Sequence, residues 1–116
     1  MAQVKRGEFW LINLDPSFGR EIHKKRPALV ISVNAIHQKT PHVIVIPASS
    51  QVPEIVGLEM VLVGEREDLH KKSVLLPLFI RSIDRERLTK KIGIISKAKL
   101  KEVETAIKLV LGLELS

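Results

Sequence analysis

Arg26 stands directly before Pro27, which biases its backbone toward extended geometry, and the apolar run Ala28-Leu29-Val30-Ile31-Ser32 follows. A guanidinium at the start of a strand offers a fixed fork of donors that matches a phosphate. An arginine in a surface ion pair is the competing reading. A second apolar run, Val43-Ile44-Val45-Ile46, ends in Pro47-Ala48-Ser49-Ser50. Hydroxyls at a strand end hold a phosphate oxygen or cap the loop that follows. Taken together, the arginine and the hydroxyl pair suit a phosphodiester backbone.

Arg26 closes a basic loop, Gly19-Arg20-Glu21-Ile22-His23-Lys24-Lys25. Glu21 and His23 are its candidates for accepting a proton near neutral pH, histidine by its ordinary chemistry and glutamate only with help from burial. Ser49 does not read as an acyl-transfer nucleophile, because no glycine elbow surrounds it. The histidines at 23, 37, 42 and 70 follow no metal-ligand spacing, and with no cysteine to assist, neither a metal site nor a cofactor is expected. Arg81, Arg85, Arg87, Lys90 and Lys91 form a second basic cluster. It reads by default as a solvated face, and otherwise as a salt-dependent contact with a nucleic-acid backbone.

The surrounding chain must position these groups. Its 116 residues suit a single domain over 1–116, of a size that often gains stability by pairing with a copy of itself. The charge of +6 favours an anionic partner. With three Phe, one Trp and no Tyr, a platform of several stacked rings is not expected. The lack of cysteine fits a reducing cytoplasm. No signal peptide is read at the N-terminus, and no apolar stretch approaches the ~18 residues that span a membrane.

Hydrophobic patterning predicts strands over 8–14, 28–33, 42–48, 56–63, 73–81 and 92–95. The unbroken run at 28–33 implies burial on both faces. Pro77 makes the fifth strand an edge or a bend. A short helical turn is expected over 84–88. Ser96 reads as an N-cap, Leu100, Val103, Ile107, Val110 and Leu111 recur at helical spacing, and Gly112 sits where a helix ends. The plan is mainly β: a small, strongly bent or barrel-like sheet closed by one amphipathic helix.

These segments, taken in order, resemble the MazF/PemK family of toxin endoribonucleases. The likeness runs through Arg6-Gly7-Glu8-Phe9-Trp10, Leu14-Asp15-Pro16, Glu21, Arg26-Pro27-Ala28-Leu29-Val30 and Pro47-Ala48-Ser49-Ser50. It continues through Ile80-Arg81-Ser82-Ile83-Asp84, Arg87-Leu88 and Ile92-Gly93 to Leu111-Gly112-Leu113. Each match is short, and their order and spacing carry the specificity. The resemblance implies an SH3-like barrel with a C-terminal helix, a homodimer, and an antitoxin whose acidic tail blocks the RNA groove. It further implies metal-independent cutting of single-stranded RNA at short sequences, by attack of the 2′-hydroxyl on the adjacent phosphate. The products are a 2′,3′-cyclic phosphate and a 5′-hydroxyl. The family's essential arginine falls on Arg26, its threonine on Ser49 and its loop glutamate on Glu21. His23 as a proton acceptor is suggested by this sequence alone. Arg20, Lys24, Lys25, Ser50, Gln51, Leu78, Phe79 and Arg81 are the expected RNA contacts.

The chain departs from the family pattern at three places. Leu78-Phe79 replaces a polar Asp-Gln pair, Ile22 replaces a loop glutamine, and Ser49 replaces threonine. The first two remove hydrogen-bonding groups that hold bases or shape the groove. Two other functions fit the same fold. One is a binding module for RNA or antitoxin without efficient cleavage, which the Leu78-Phe79 replacement favours. The other is a CcdB-like gyrase poison, against which the Arg26 and Ser49 pair argues.

Overall fold

A computed structural model describes residues 3–14, 25–64, 66 and 69–114. Its strands are β1 (Glu8–Asn13), β2 (Lys25–Val30), β3 (His42–Ser49), β4 (Val61–Val63), β5 (Ser73–Leu75), β6 (Arg81–Asp84) and β7 (Leu88–Ile94), with helices α1 (Asn34–Lys39) and α2 (Lys97–Leu111). The seven strands form one sheet in the order β4-β5-β3-β2-β1-β7, and β6 also pairs with β3. All strand pairs are antiparallel.

Alternation along the three central strands sorts their side chains into two cores. Phe9, Leu29, Ile46 and Ala48 point to one face, where they meet Val61, Val63, Leu75 and, from α2, Val103 and Ala106. Trp10, Ile12, Ala28, Val30, Val43 and Val45 point to the other face, where Val4, Leu14 and Ile83 complete a second cluster. Each large apolar side chain taken fully out of water contributes about 1.5–3 kcal/mol. Ala28, Leu29 and Val30 are fully buried, so this part of the run is a strand covered on both faces, but the strand is Lys25–Val30, three residues earlier than the expected 28–33, and Val33 is exposed.

Pro47 sits inside β3, paired with Ala28 of β2 on one edge. On the other edge β3 pairs with β6 through His42–Val45 and with β5 through Ala48 and Ser49. Proline has no N–H to give a ladder, and it falls at the handover between these two partners. Its carbonyl accepts from the amide of Leu76 at 3.0 Å.

Three further expected strands differ from those observed, and one helix is additional. The fourth strand covers only Val61–Val63, because the alternating residues before it run through turns with Ile55 and Leu58 exposed. The expected strand at 73–81 is split: Pro77–Phe79 is a 3-10 turn between β5 and β6. The last strand begins earlier, at Leu88, and its exposed Thr89, Lys90 and Lys91 hid it from a hydrophobic count. Helix α1 was not anticipated. It is anchored by His37, whose Nδ1 donates to the carbonyl of Val4 at 2.9 Å and whose Nε2 faces Ser32 Oγ at 2.5 Å. Val4's carbonyl only accepts, so Nε2 takes the hydroxyl hydrogen of Ser32. Ser32 Oγ in turn accepts from the amide of Ile44 at 3.0 Å.

Two expectations hold closely. Asp84 caps a 3-10 turn at Arg85–Arg87, accepting from the amide of Glu86. Ser96 caps α2 by accepting from the amide of Lys99, and Gly112 ends it in the left-handed region.

Gly7 has φ of +92°. Its N–H donates to Val30 and its carbonyl accepts from Ile95, both at 2.8 Å, so it ties the chain beside β2 and β7 at the head of β1. A Cβ there would meet only Ile95 Cγ2 at 3.7 Å, an ordinary contact. Gly7→Ala should therefore cost only backbone strain, about 1–3 kcal/mol, read as a lower midpoint with an unchanged slope in urea unfolding.

Candidate functional site

The ends of β2 and β3 open into a groove of about 950 Å³. The β2–β3 register pairs Ala28 with Pro47, Leu29 with Ile46 and Val30 with Val45. Carried two residues further, that register sets Arg26 opposite Ser49. Both residues line the groove, with Lys25, Ser50, Gln51 and Phe79. The wall is completed by His70 and Lys71 from the β4–β5 connection, Ser73 from β5, Leu11 from β1, and Lys90, Lys91 and Ile92 from β7; of these only Lys90 and Lys91 carried a signal in the sequence. Lys25, Arg26, Lys71, Lys90 and Lys91 make it strongly cationic, and no Asp or Glu is among the described residues that line it.

Arg26 is half-buried, and its Nε is buried with no hydrogen-bond partner. Burial lowers the pKa of the guanidinium from its ordinary value, yet arginine stays protonated at neutral pH. A desolvated cation with an orphaned donor is costly, and an anion in the groove would satisfy both the charge and the donor. Ser49 Oγ accepts from the amide of Gln51 at 3.1 Å, which holds the turn after β3 and leaves the hydroxyl hydrogen to donate.

Phe79 is held at the rim rather than hung from a loop. Its amide donates to Leu76 at 2.9 Å, and Ile80 donates to Pro77 at 3.0 Å. Its side chain remains 41 % exposed. Leu78, on the same turn, is 69 % exposed and does not line the groove. Arg81 pairs across β3 with Val45 and also lies outside the lining. Arg20, Glu21, His23 and Lys24 lie outside the described residues.

The second basic cluster divides. Arg85 donates through Nη2 to the carbonyls of His37 and Thr40. Arg87 donates to Asn13 at 3.0 Å. These two arginines stitch backbone together, whereas Lys90 and Lys91 line the groove. Among the described residues no group of His, Asp or Glu is placed to hold a metal ion, and no helix is long and apolar enough to cross a membrane.

The bent sheet closed by a C-terminal helix defines the MazF-type fold. It superposes on MazF from Deinococcus radiodurans with a TM-score of 0.84 at 25 % identity, over 97 % of this chain and 100 % of that one. An endoribonuclease from a mycobacterial species, solved in complex with its cognate antitoxin, shares the fold with a TM-score of 0.78 at 20 % identity, over 98 % of each chain. The family described as PemK-like, MazF-like toxin of type II toxin-antitoxin system matches residues 5–111. Endoribonuclease MazF9 of Mycobacterium tuberculosis is 33 % identical over 115 residues, spanning 95 % of this chain and 98 % of its own length. The chain belongs to the PemK/MazF family of toxins.

Lys91 links the groove to the interior. Its Nζ pairs with Oε2 of the buried Glu8 at 2.9 Å. Glu8 Oε1 accepts from the amide of Lys5 at 2.9 Å and the indole of Trp10 at 3.0 Å. Burial alone would raise this carboxyl's pKa. The bonds from Lys91, Lys5 and Trp10, with the Lys91 charge, outweigh it and hold the pKa below the ordinary 4.5. A depressed carboxyl pKa stabilises the fold above the unfolded value and loses that contribution as pH falls through the folded one. Thermal melting of the native protein should therefore show an acid decline below about pH 4.5 that is shallower in Glu8→Gln.

Proposed function

We propose that this toxin is a metal-independent, sequence-specific endoribonuclease acting on single-stranded RNA. It works in the cytoplasm as a homodimer, and a cognate antitoxin with an acidic tail covers its cationic groove. The observation that carries the reading is Arg26: a half-buried cation with an orphaned Nε, lining with Ser49 a groove that has no described carboxylate. That arrangement suits a phosphodiester.

The ribose 2′-hydroxyl attacks the adjacent phosphorus as its proton leaves. The 2′-O–P bond forms, the P–O5′ bond breaks, and the departing 5′-oxygen takes up a proton. A 2′,3′-cyclic phosphate and a 5′-hydroxyl result. Arg26 faces the negative charge that develops on the pentacovalent phosphate, and it is a poor base because it stays protonated. Ser49 donates to a non-bridging oxygen. Glu21 and His23 are the candidates to take the 2′-hydroxyl proton. Lys25, Lys24 and Arg20 attract the backbone, with Arg81 as an outlying contact. Ser50 and Gln51 offer hydrogen bonds to bases, and Phe79, beside Leu78, offers a stacking face.

The same Leu78-Phe79 pair favours the second reading, a binding module of this fold that cuts poorly. A CcdB-like attack on gyrase has no use for an orphaned guanidinium opposite a hydroxyl.

Cleavage of a long single-stranded RNA in EDTA, with product ends mapped, separates these readings. The native protein should cut at a short recurring sequence and leave 5′-hydroxyl ends. Arg26→Ala and Ser49→Ala should each lose about 100- to 1,000-fold in rate, and the double variant should fall well short of the product of the two losses. No cutting by a folded native protein would favour the binding module. Phe79→Ala should weaken RNA binding by about 1–3 kcal/mol, measured by fluorescence anisotropy on uncleavable 2′-deoxy substrate.

A further inference from the structure

We infer that His70 donates the proton to the departing 5′-oxygen, a role that rests on the endoribonuclease reading above. Two protons move in that reaction: one leaves the 2′-hydroxyl, and one must reach the oxygen released when the P–O5′ bond breaks. An alkoxide is a poor leaving group unless it is protonated as it departs. Among the described residues lining the groove, the lysines and Arg26 are suited to charge stabilisation, and the serines and Gln51 to hydrogen bonding. His70 is the one imidazole among them, the side-chain type that gives and takes protons between about pH 5 and 8.

The fold sets His70 apart from Arg26. Strand β3, which ends at Ser49, has β2 on one edge and β5 on the other. Arg26 comes from β2, whereas His70 lies just before β5, whose Val74 pairs with Ser49. The two residues therefore approach the end of β3 from opposite sides. His70 is also held by its neighbours. Leu69 is buried and its amide donates to Gly64 at 3.2 Å, while the carbonyl of Lys71 accepts from Ser73 Oγ at 3.0 Å. Between these anchors the His70 side chain is exposed at the groove wall. The charged groups that share this wall are Lys25 and Arg26 from β2, Lys71 beside it, and Lys90 and Lys91 from β7. None of these described groups is an acid.

The test uses an oligoribonucleotide containing the mapped cleavage site, and a twin in which sulfur replaces the bridging 5′-oxygen there. A thiolate leaves without needing a proton. At saturating RNA, His70→Ala and His70→Gln should cut the all-oxygen substrate at least about 100-fold more slowly than the native protein, yet cut the sulfur substrate within about threefold of it. The variants should also lose the basic limb of the native pH–rate profile on the all-oxygen substrate. Arg26→Ala should slow both substrates, because it acts on the phosphate charge. Equal slowing of both substrates by the His70 variants, or no slowing of either, overturns the role. A native protein that cuts neither substrate overturns the endoribonuclease reading, and this role with it.

Discussion

Strand β3 is the constraint on which the rest of the molecule depends. It carries β2 on one edge and β6 then β5 on the other, and it sends side chains into both cores. A strand so placed has no freedom of register: a shift by one residue would exchange Val43 and Val45 with Ile44 and turn the pattern inside out. Fixing β3 against β2 also fixes Ser49 relative to Arg26, so core packing and site geometry are set by one register. Pro47 fits this interior position because the ladder on one edge changes partner there. A proline mid-strand would otherwise leave a neighbouring carbonyl unpaired.

The electrostatics of the groove follow from the same placement. Arg26 is the last polar residue before β2 dives into the two cores, so its stem and Nε are buried while its side chain still reaches the groove. Lysines at this position would keep a compact, well-hydrated charge. Arginine instead presents a planar fork whose donors are set in direction before any ligand arrives. Lys90 and Lys91 arrive from β7, an edge strand on which they and Thr89 are exposed, and charge on an edge also discourages pairing with other chains. The charges that suit RNA thus sit where the sheet needs polar residues anyway.

Much of this was legible from the chain. Strands β1 to β3 announce themselves by apolar runs because they are buried, and α2 by its stripe, its serine cap and its terminal glycine. Arg26 and Ser49 were legible because each flanks such a run. What escaped lacks local signal. Helix α1 is six residues long, has no side-chain cap, and buries only His37, through a partner 33 residues away. The stretch before β4 alternates like a strand but exposes its apolar side chains. His70 is a lone histidine in a connection, and only the β5–β3 pairing brings it to Arg26 and Ser49. Arg85 and Arg87 counted as surface charge in the sequence, whereas their partners are backbone carbonyls far along the chain.

The rim of the groove bears on selectivity. Phe79 lines the groove and Leu78 does not, so the 3-10 turn offers a single apolar ring at the rim. Stacking on an aromatic ring binds any base, because every base has a π-face. On the proposed reading, discrimination would come from groups that reach base edges, and besides Ser49 the neutral polar side chains lining the groove are Ser50, Gln51 and Ser73. Of these side chains, Gln51 carries two N–H donors beside a carbonyl acceptor, whereas each serine has a single hydroxyl that both donates and accepts. It is anchored by its amide to Ser49 Oγ, so the residue best equipped to read a base is tied directly to the hydroxyl proposed to hold the phosphate. On the proposed reading, base recognition and phosphate placement would share one turn, and a base that displaces Gln51 would disturb the reaction as well as the binding.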